Sequence, residues 1–85
     1  MDRHWEAQLK VGDTLQLVRE PANSYDPNAV RVEWQSHKLG YVPRADNEAL
    51  ARFMDRGSKA EARITRLKKS RNPWQRMEFE VYLGL

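Results

Sequence analysis

A chain of 85 residues without a single cysteine has to fold on packing alone. No disulfide can staple it, and no thiolate can ligate a metal or act as a nucleophile. Domains usually run to about 100–150 residues, so a chain of this length makes one domain at most. Residues 1–85 are therefore read as a single unit, with residues 1–12 as a frayed or incomplete first strand. Three Trp, three Tyr and two Phe within an apolar fraction of 40% are enough for a core, even with 32% charged residues. No apolar run approaches the roughly 18–20 residues of a membrane span, and Met1-Asp2-Arg3-His4-Trp5 lacks the layout of a signal peptide. A cytoplasmic protein with no membrane partner is the expectation.

Apolar periodicity divides the chain. Leu15 and Leu17 alternate with Thr14, Gln16 and Val18, and Val30, Val32 and Trp34 alternate with Arg31 and Glu33, which reads as two half-buried strands. The segment between them, Pro21 to Asn28, is dense in turn formers and too long for a tight hairpin. Lys38 to Val42 is a third strand, in which Gly40 marks a bulge or a close backbone approach, and Pro43 stops it. Ala45, Ala49, Leu50, Phe53 and Met54 recur at helical spacing over about 45–56, with Asp46 as N-cap and Gly57 as the left-handed residue after the end. Two more alternating runs, around Ala60 to Thr65 and Met77 to Leu83, complete the set, joined by a loop over Lys68 to Pro73. The fold class is thus α+β, mostly β: a small curved antiparallel sheet or partly open SH3-like or OB-like barrel with one main helix.

Catalytic equipment is thin. His4 and His37 stand far apart with no ligand partner at helical spacing, Ser24, Ser36, Ser58 and Ser70 lie in loop-like sequence, and the glycines are isolated. No triad, metal site or phosphate-cradling loop follows, so the expectation is a non-enzyme without a cofactor or small-molecule substrate. The net charge of +3 is a mild bias toward anionic partners. It is concentrated: Arg56, Lys59, Arg63, Arg66, Lys68, Lys69, Arg71 and Arg76 are opposed only by Glu61. Such a cluster suits a phosphate backbone, and equally a solvated surface.

Two motifs say more. Residues 19–32 read R-E-P-A-N-S-Y-D-P-N-A-V-R-V, and residues 39–44 read L-G-Y-V-P-R. In order and spacing they resemble the HIRAN domain, whose pattern is R-E-x-x-N-x-Y-D-x-N-A-[VI]-x-V followed by [IVL]-G-Y-[VIL]-P-[RK] opening a helix. The resemblance is close over residues 19–44, and the later helix and strands agree with the family's layout. It implies a nucleic-acid-binding module, found at the front of fork-remodelling helicase-like proteins and also as a small stand-alone bacterial protein of the cytosol or nucleoid. What such modules capture is the unpaired 3′ end of DNA. Carried over by position, the end-binding residues are Asn23, Tyr25 and Asp26, then Tyr41 and Arg44.

Elementary chemistry gives each a role. A carboxylate such as Asp26 accepts a hydrogen bond from a terminal hydroxyl and repels a phosphate. Tyr25 and Tyr41 offer faces on which unpaired bases stack, and Arg44 beside a helix N-terminus holds a phosphate. The same residues have structural readings: Asp26 and Asn23 as turn formers, Tyr41 as core, Trp34 and Trp74 as packing. Family members carry an Arg and aromatics on a strand before the L-x-L strand; here only Met1 to Gly12 precedes it, with Arg3, His4 and Trp5 as equivalents. Lys68, Lys69 and Arg71 are additional candidate DNA contacts. Single-stranded DNA is the expected partner, linked to repair or replication-fork processing. The alternative is a protein-interaction module that docks a helicase or nuclease through the same loop and sheet edge.

Overall fold

The computed structural model describes residues 8–68 and 77–84. Its elements run β1 (Thr14–Arg19), β2 (Val30–Trp34), β3 (His37–Tyr41), α1 (Arg44–Asp55), β4 (Ala60–Leu67) and β5 (Met77–Leu83). They form one antiparallel sheet in the order β3-β2-β1-β4-β5. The curl originates in β1. Its first residues, Thr14 and Leu15, pair with Arg63 and Ala62 of β4, whereas Gln16 to Arg19 pair with Glu33 to Val30 of β2. One short strand thus turns the sheet from one half into the other, and α1 packs on both β2 and β4.

Alternation fixes which side is inside. Val30, Val32 and Trp34 of β2 are buried, as are Leu15, Ala62, Ile64 and Met77, and they share a core with Leu9, Val42, Leu50 and Ala51. Leu9, in the stretch read as a frayed or incomplete first strand, lies in the core, and residues 1–7 of that stretch lie outside the described residues. Trp34 is a packing residue, 3% exposed, with its indole N–H donating to Asp13 Oδ2 at 3.0 Å. Trp74 falls outside the described residues.

Three local features depart from simple alternation. The β2–β3 hairpin turns on Gln35 and Ser36, both at positive φ (44° and 70°), as a two-residue turn of the twist-matched kind requires. In β3 the register slips: Val32 faces Gly40 but Glu33 faces Lys38, so Leu39 is an extra residue beside Gly40. A second slip makes Thr65 the extra residue in β4.

The helix starts before the expected cap. Pro43, extended at ψ 145°, holds the N-cap position without a side-chain hydrogen bond, and Asp46 sits inside the first turn, its N–H bonded to the Pro43 carbonyl at 2.9 Å. Proline suits this boundary, since a helix's first N–H groups have no intrahelical acceptor. At the other end Gly57 (φ 87°) donates to the Met54 carbonyl and Ser58 to that of Phe53, the paired bonds of a Schellman stop. Among the described residues no helix is long and apolar enough to cross a membrane.

Candidate functional site

The segment between β1 and β2 is held by its own side chains. Its base is closed by the Glu20 N–H to the Ala29 carbonyl at 3.0 Å. Asn23 Oδ1 accepts the backbone N–H groups of Tyr25 (2.8 Å) and Asp26 (3.1 Å), and its amide donates to Glu20 Oε1 at 3.0 Å. Asp26 repeats the device: Oδ1 accepts the Asn28 N–H at 2.9 Å while the Asp26 carbonyl accepts that of Ala29. Asn and Asp recur here because their short side chains reach back to backbone donors within the same turn.

Neighbouring elements lock this loop from three sides. Arg19 grips Asp55 at the end of α1 with two bonds of 3.0 and 3.2 Å and reaches the Ala29 carbonyl with its remaining nitrogen. Glu20 also receives the Tyr41 hydroxyl (3.0 Å) on Oε1 and the Arg31 guanidinium on Oε2. From α1, the buried Asn47 donates its amide to Asp26 Oδ2 at 2.7 Å. Arg44 bonds the Tyr25 carbonyl at 2.9 Å and stands 3.6 Å from Asp26 Oδ2, its side chain still 74% exposed.

These residues border an open groove of about 570 Å³ lined by Asn23, Tyr25, Asp26, Tyr41, Arg44 and Asn47, with Lys38 on the β3 side. Tyr25 is 87% exposed and free to meet a ligand. Tyr41 is not core: it pairs with Arg31 on the sheet face opposite buried Val30 and Val32. The Leu39 bulge brings Lys38 to that same face, because Lys38 pairs with Glu33, two residues from Arg31. The Lys38 ammonium consequently lies 4.8 Å from the centre of the Tyr41 ring.

Both carboxylates are held ionised. The Asn28 N–H and then the Asn47 amide pull Asp26 below its ordinary value, with Arg44 and Arg19 adding attraction against the opposing effect of partial burial. Glu20 is lowered first by the Asn23 amide, then by Tyr41 and Arg31, against a desolvation effect in the other direction. Arg31 stays firmly charged: desolvation works against the cation, but Glu33 and Glu20 outweigh it. The groove thus holds one ionised carboxylate, Asp26, beside two exposed cations, Lys38 and Arg44.

The five end-binding candidates carried over from the two motifs, Asn23, Tyr25, Asp26, Tyr41 and Arg44, all line this groove. Lys68 does not line it: it sits beyond β4, 3.8 Å from Glu78. Arg3, His4, Trp5, Lys69 and Arg71 lie outside the described residues. Sequence reasoning missed Lys38, Asn47 and the bracing by Arg19 and Glu20. Asn47 had a signal: with Leu50, Ala51 and Met54 it falls on one helical stripe, and a polar residue there needs a partner.

Comparison with known proteins bears on this groove. The HIRAN domain family model matches residues 3–85. The Fanconi-associated nuclease 1 homolog of Oryza sativa subsp. japonica is 35% identical over 57 residues, 62% of this chain and 6% of that protein, so the chain spans a small fraction of that relative's length. A crystal structure of a protein from Lactobacillus plantarum superposes with a TM-score of 0.74 at 33% identity, covering 92% of this chain and 72% of that one. The HIRAN domain of human HLTF is similar in fold, with a TM-score of 0.69 at 21% identity over 89% of this chain and 63% of that one.

Proposed function

The chain belongs to the HIRAN domain family, and we propose that its groove binds single-stranded DNA by a free 3′-hydroxyl end, in DNA repair or replication-fork processing. A HIRAN domain is a DNA-binding module, and binding without chemistry is the whole of the proposed activity. The observation that carries the finer reading is the state of Asp26. It is ionised, its side chain is 18% exposed at the groove, and two of its roughly four acceptor positions are taken, by Asn28 and Asn47. Capacity remains for one hydroxyl donor. A terminal phosphate in the same place would set like charges together with no proton to share. Tyr25 supplies the open aromatic face for an unpaired base, indifferent to which base it is, and Arg44 supplies the phosphate contact. The nuclease relative fits a role beside DNA-processing machinery.

Fluorescence anisotropy with matched oligonucleotides ending in 3′-hydroxyl or 3′-phosphate tests this. The hydroxyl form should bind roughly tenfold tighter or more. Asp26→Asn, which keeps an oxygen for the Asn28 N–H, should remove the difference; Asp26→Ala should do the same while loosening the loop. Equal binding of the two ends by the wild type removes end recognition. If single-stranded DNA leaves the amide signals of Asn23, Tyr25, Asp26 and Arg44 unmoved, the groove instead serves a helicase or nuclease partner.

A further inference from the structure

Resting on the reading of this groove as a 3′-end site, we infer that Lys38 is its second phosphate-holding cation, facing Arg44 across the groove, and that Tyr41 is the seat of Lys38 and not a stacking platform. Four cations border the loop: Arg19, Arg31, Lys38 and Arg44. Arg19 is committed to Asp55 and the Ala29 carbonyl, and Arg31 to Glu20 and to Glu33 at 2.7 Å. Neither has charge to offer an incoming anion without giving up a partner. Lys38 differs. Its cross-strand neighbour Glu33 is taken by Arg31, and no carboxylate among the described residues pairs with it. What it has is a place: the bulge at Leu39 turns it onto the Tyr41 face, and the ring holds its ammonium 4.8 Å from the centroid. An ammonium over an aromatic ring keeps outward N–H donors for a phosphate.

The same geometry decides the role of Tyr41. Its hydroxyl is fixed by Glu20, so the ring cannot swing out to meet a base, and the ring face beneath Lys38 is occupied. Among the described residues of the groove, stacking therefore falls to Tyr25. The site then takes a 3′-terminal hydroxyl on Asp26, its base on Tyr25, and the neighbouring backbone between Arg44 and Lys38.

The test is the salt dependence of binding a 3′-hydroxyl oligonucleotide, compared across Lys38→Gln, Tyr41→Leu, Tyr41→Phe and the double variant Lys38→Gln/Tyr41→Leu. Lys38→Gln should weaken binding about fivefold, make the slope of log K on log salt less steep by about 0.7, and leave the ratio of 3′-hydroxyl to 3′-phosphate affinity unchanged. Tyr41→Leu, which removes the seat, should flatten the slope similarly, and the double variant should be little worse than either single one. Tyr41→Phe keeps the ring beneath Lys38 but loses the bond to Glu20, and should flatten the slope less than Tyr41→Leu does. An unchanged slope in Lys38→Gln overturns the inference. So does a loss of about tenfold or more in Tyr41→Leu at constant slope, which is the signature of a stacking platform. If the wild type binds DNA but shows no preference between the two ends, the 3′-end reading falls, while the slopes still decide whether Lys38 holds a phosphate.

Discussion

Asn47 is where the helix and the loop depend on each other most directly, and replacing it should unfasten both. Its side chain is 3% exposed, and its amide nitrogen lies 2.7 Å from Asp26 Oδ2, a short bond to a charged acceptor. Removing a buried donor to an ionised partner costs about 1.5–3 kcal/mol, and truncation to alanine adds little cavity because asparagine is small. Asn47→Ala should therefore lose about 2 kcal/mol of stability. For a domain of this size each kcal/mol moves the melting temperature by roughly 4–8 °C, so the midpoint should fall by about 8–16 °C. Asn47→Leu fills the space without restoring a donor; if the hydrogen bond is what matters, it should recover only a small part of the loss. Thermal unfolding followed by far-ultraviolet circular dichroism gives the midpoint, and urea titration gives the free energy independently of the heat-capacity assumption. In amide spectra the shifts should centre on Tyr25, Asp26 and Asn28 and leave β5 untouched. A loss below about 0.5 kcal/mol, the range of an ordinary surface change, would refute the claim that Asn47 braces the loop.

Two further predictions concern stability alone. Asp26 and Glu20 both have depressed values in the folded state, so the stabilisation they supply is complete above the values of the unfolded chain and is lost as the pH falls through the folded ones. Melting temperature should be level from about pH 5 to 7 and fall below about pH 4, with a shallower fall in Glu20→Gln; parallel curves for the two proteins would show that Glu20 is not a source of the acid sensitivity. At the β2–β3 hairpin, Gln35→Asn with Ser36→Gly supplies residues that accept positive φ at little cost, and should gain about 1 kcal/mol, or about 4–8 °C; an unchanged midpoint would mean the turn is not strained.

Much of this arrangement could be read from the chain because its signals are local. Alternation located β1, β2, β4 and β5 within a residue or two, although in β5 only Met77 is buried and Val81 and Leu83 of the same alternating set are exposed. The loop residues Asn23, Tyr25 and Asp26 share a single turn, and Tyr41 and Arg44 flank Pro43, so strand order alone brings the two groups together. What escaped was non-local or masked by a wrong face. Ala45 and Ala49 counted as inward by hydrophobicity, yet both are exposed, and the stripe that faces in runs through polar Asn47 because Asp26 needs a donor there. Gly40 signals a bulge or a close approach in β3, but the sequence does not say which residue is the extra one, so it leaves open that Lys38 and Tyr41 share a face. Arg19 meets Asp55 across 36 positions, a pairing no short motif can express.

The position of the charges, more than their sum, decides how a slightly basic chain that keeps acids at its centre would hold the anionic strand proposed for it. Around the loop, Arg19, Arg31, Lys38 and Arg44 are matched in number by Glu20, Asp26, Glu33 and Asp55, so the neighbourhood has almost no net field to offer. Arg19 and Asp55 run the other way, at 15% and 53% exposed, but at the groove itself the carboxylate lies deeper than the two exposed cations. Asp26, Glu20 and Glu33 keep only 18–20% of their side-chain surface, while Arg44 keeps 74% and Lys38 is exposed. On the proposed reading, an approaching phosphate backbone would meet Arg44 and Lys38 first and Asp26 only beneath them. The backbone N–H groups of Asn23, Tyr25, Asp26, Asn28 and Ala29 are already satisfied within the loop, so the conformational cost of ordering it is met in folding. On the proposed reading, binding would have to order little more, among the described residues, than the side chains of Tyr25, Lys38 and Arg44.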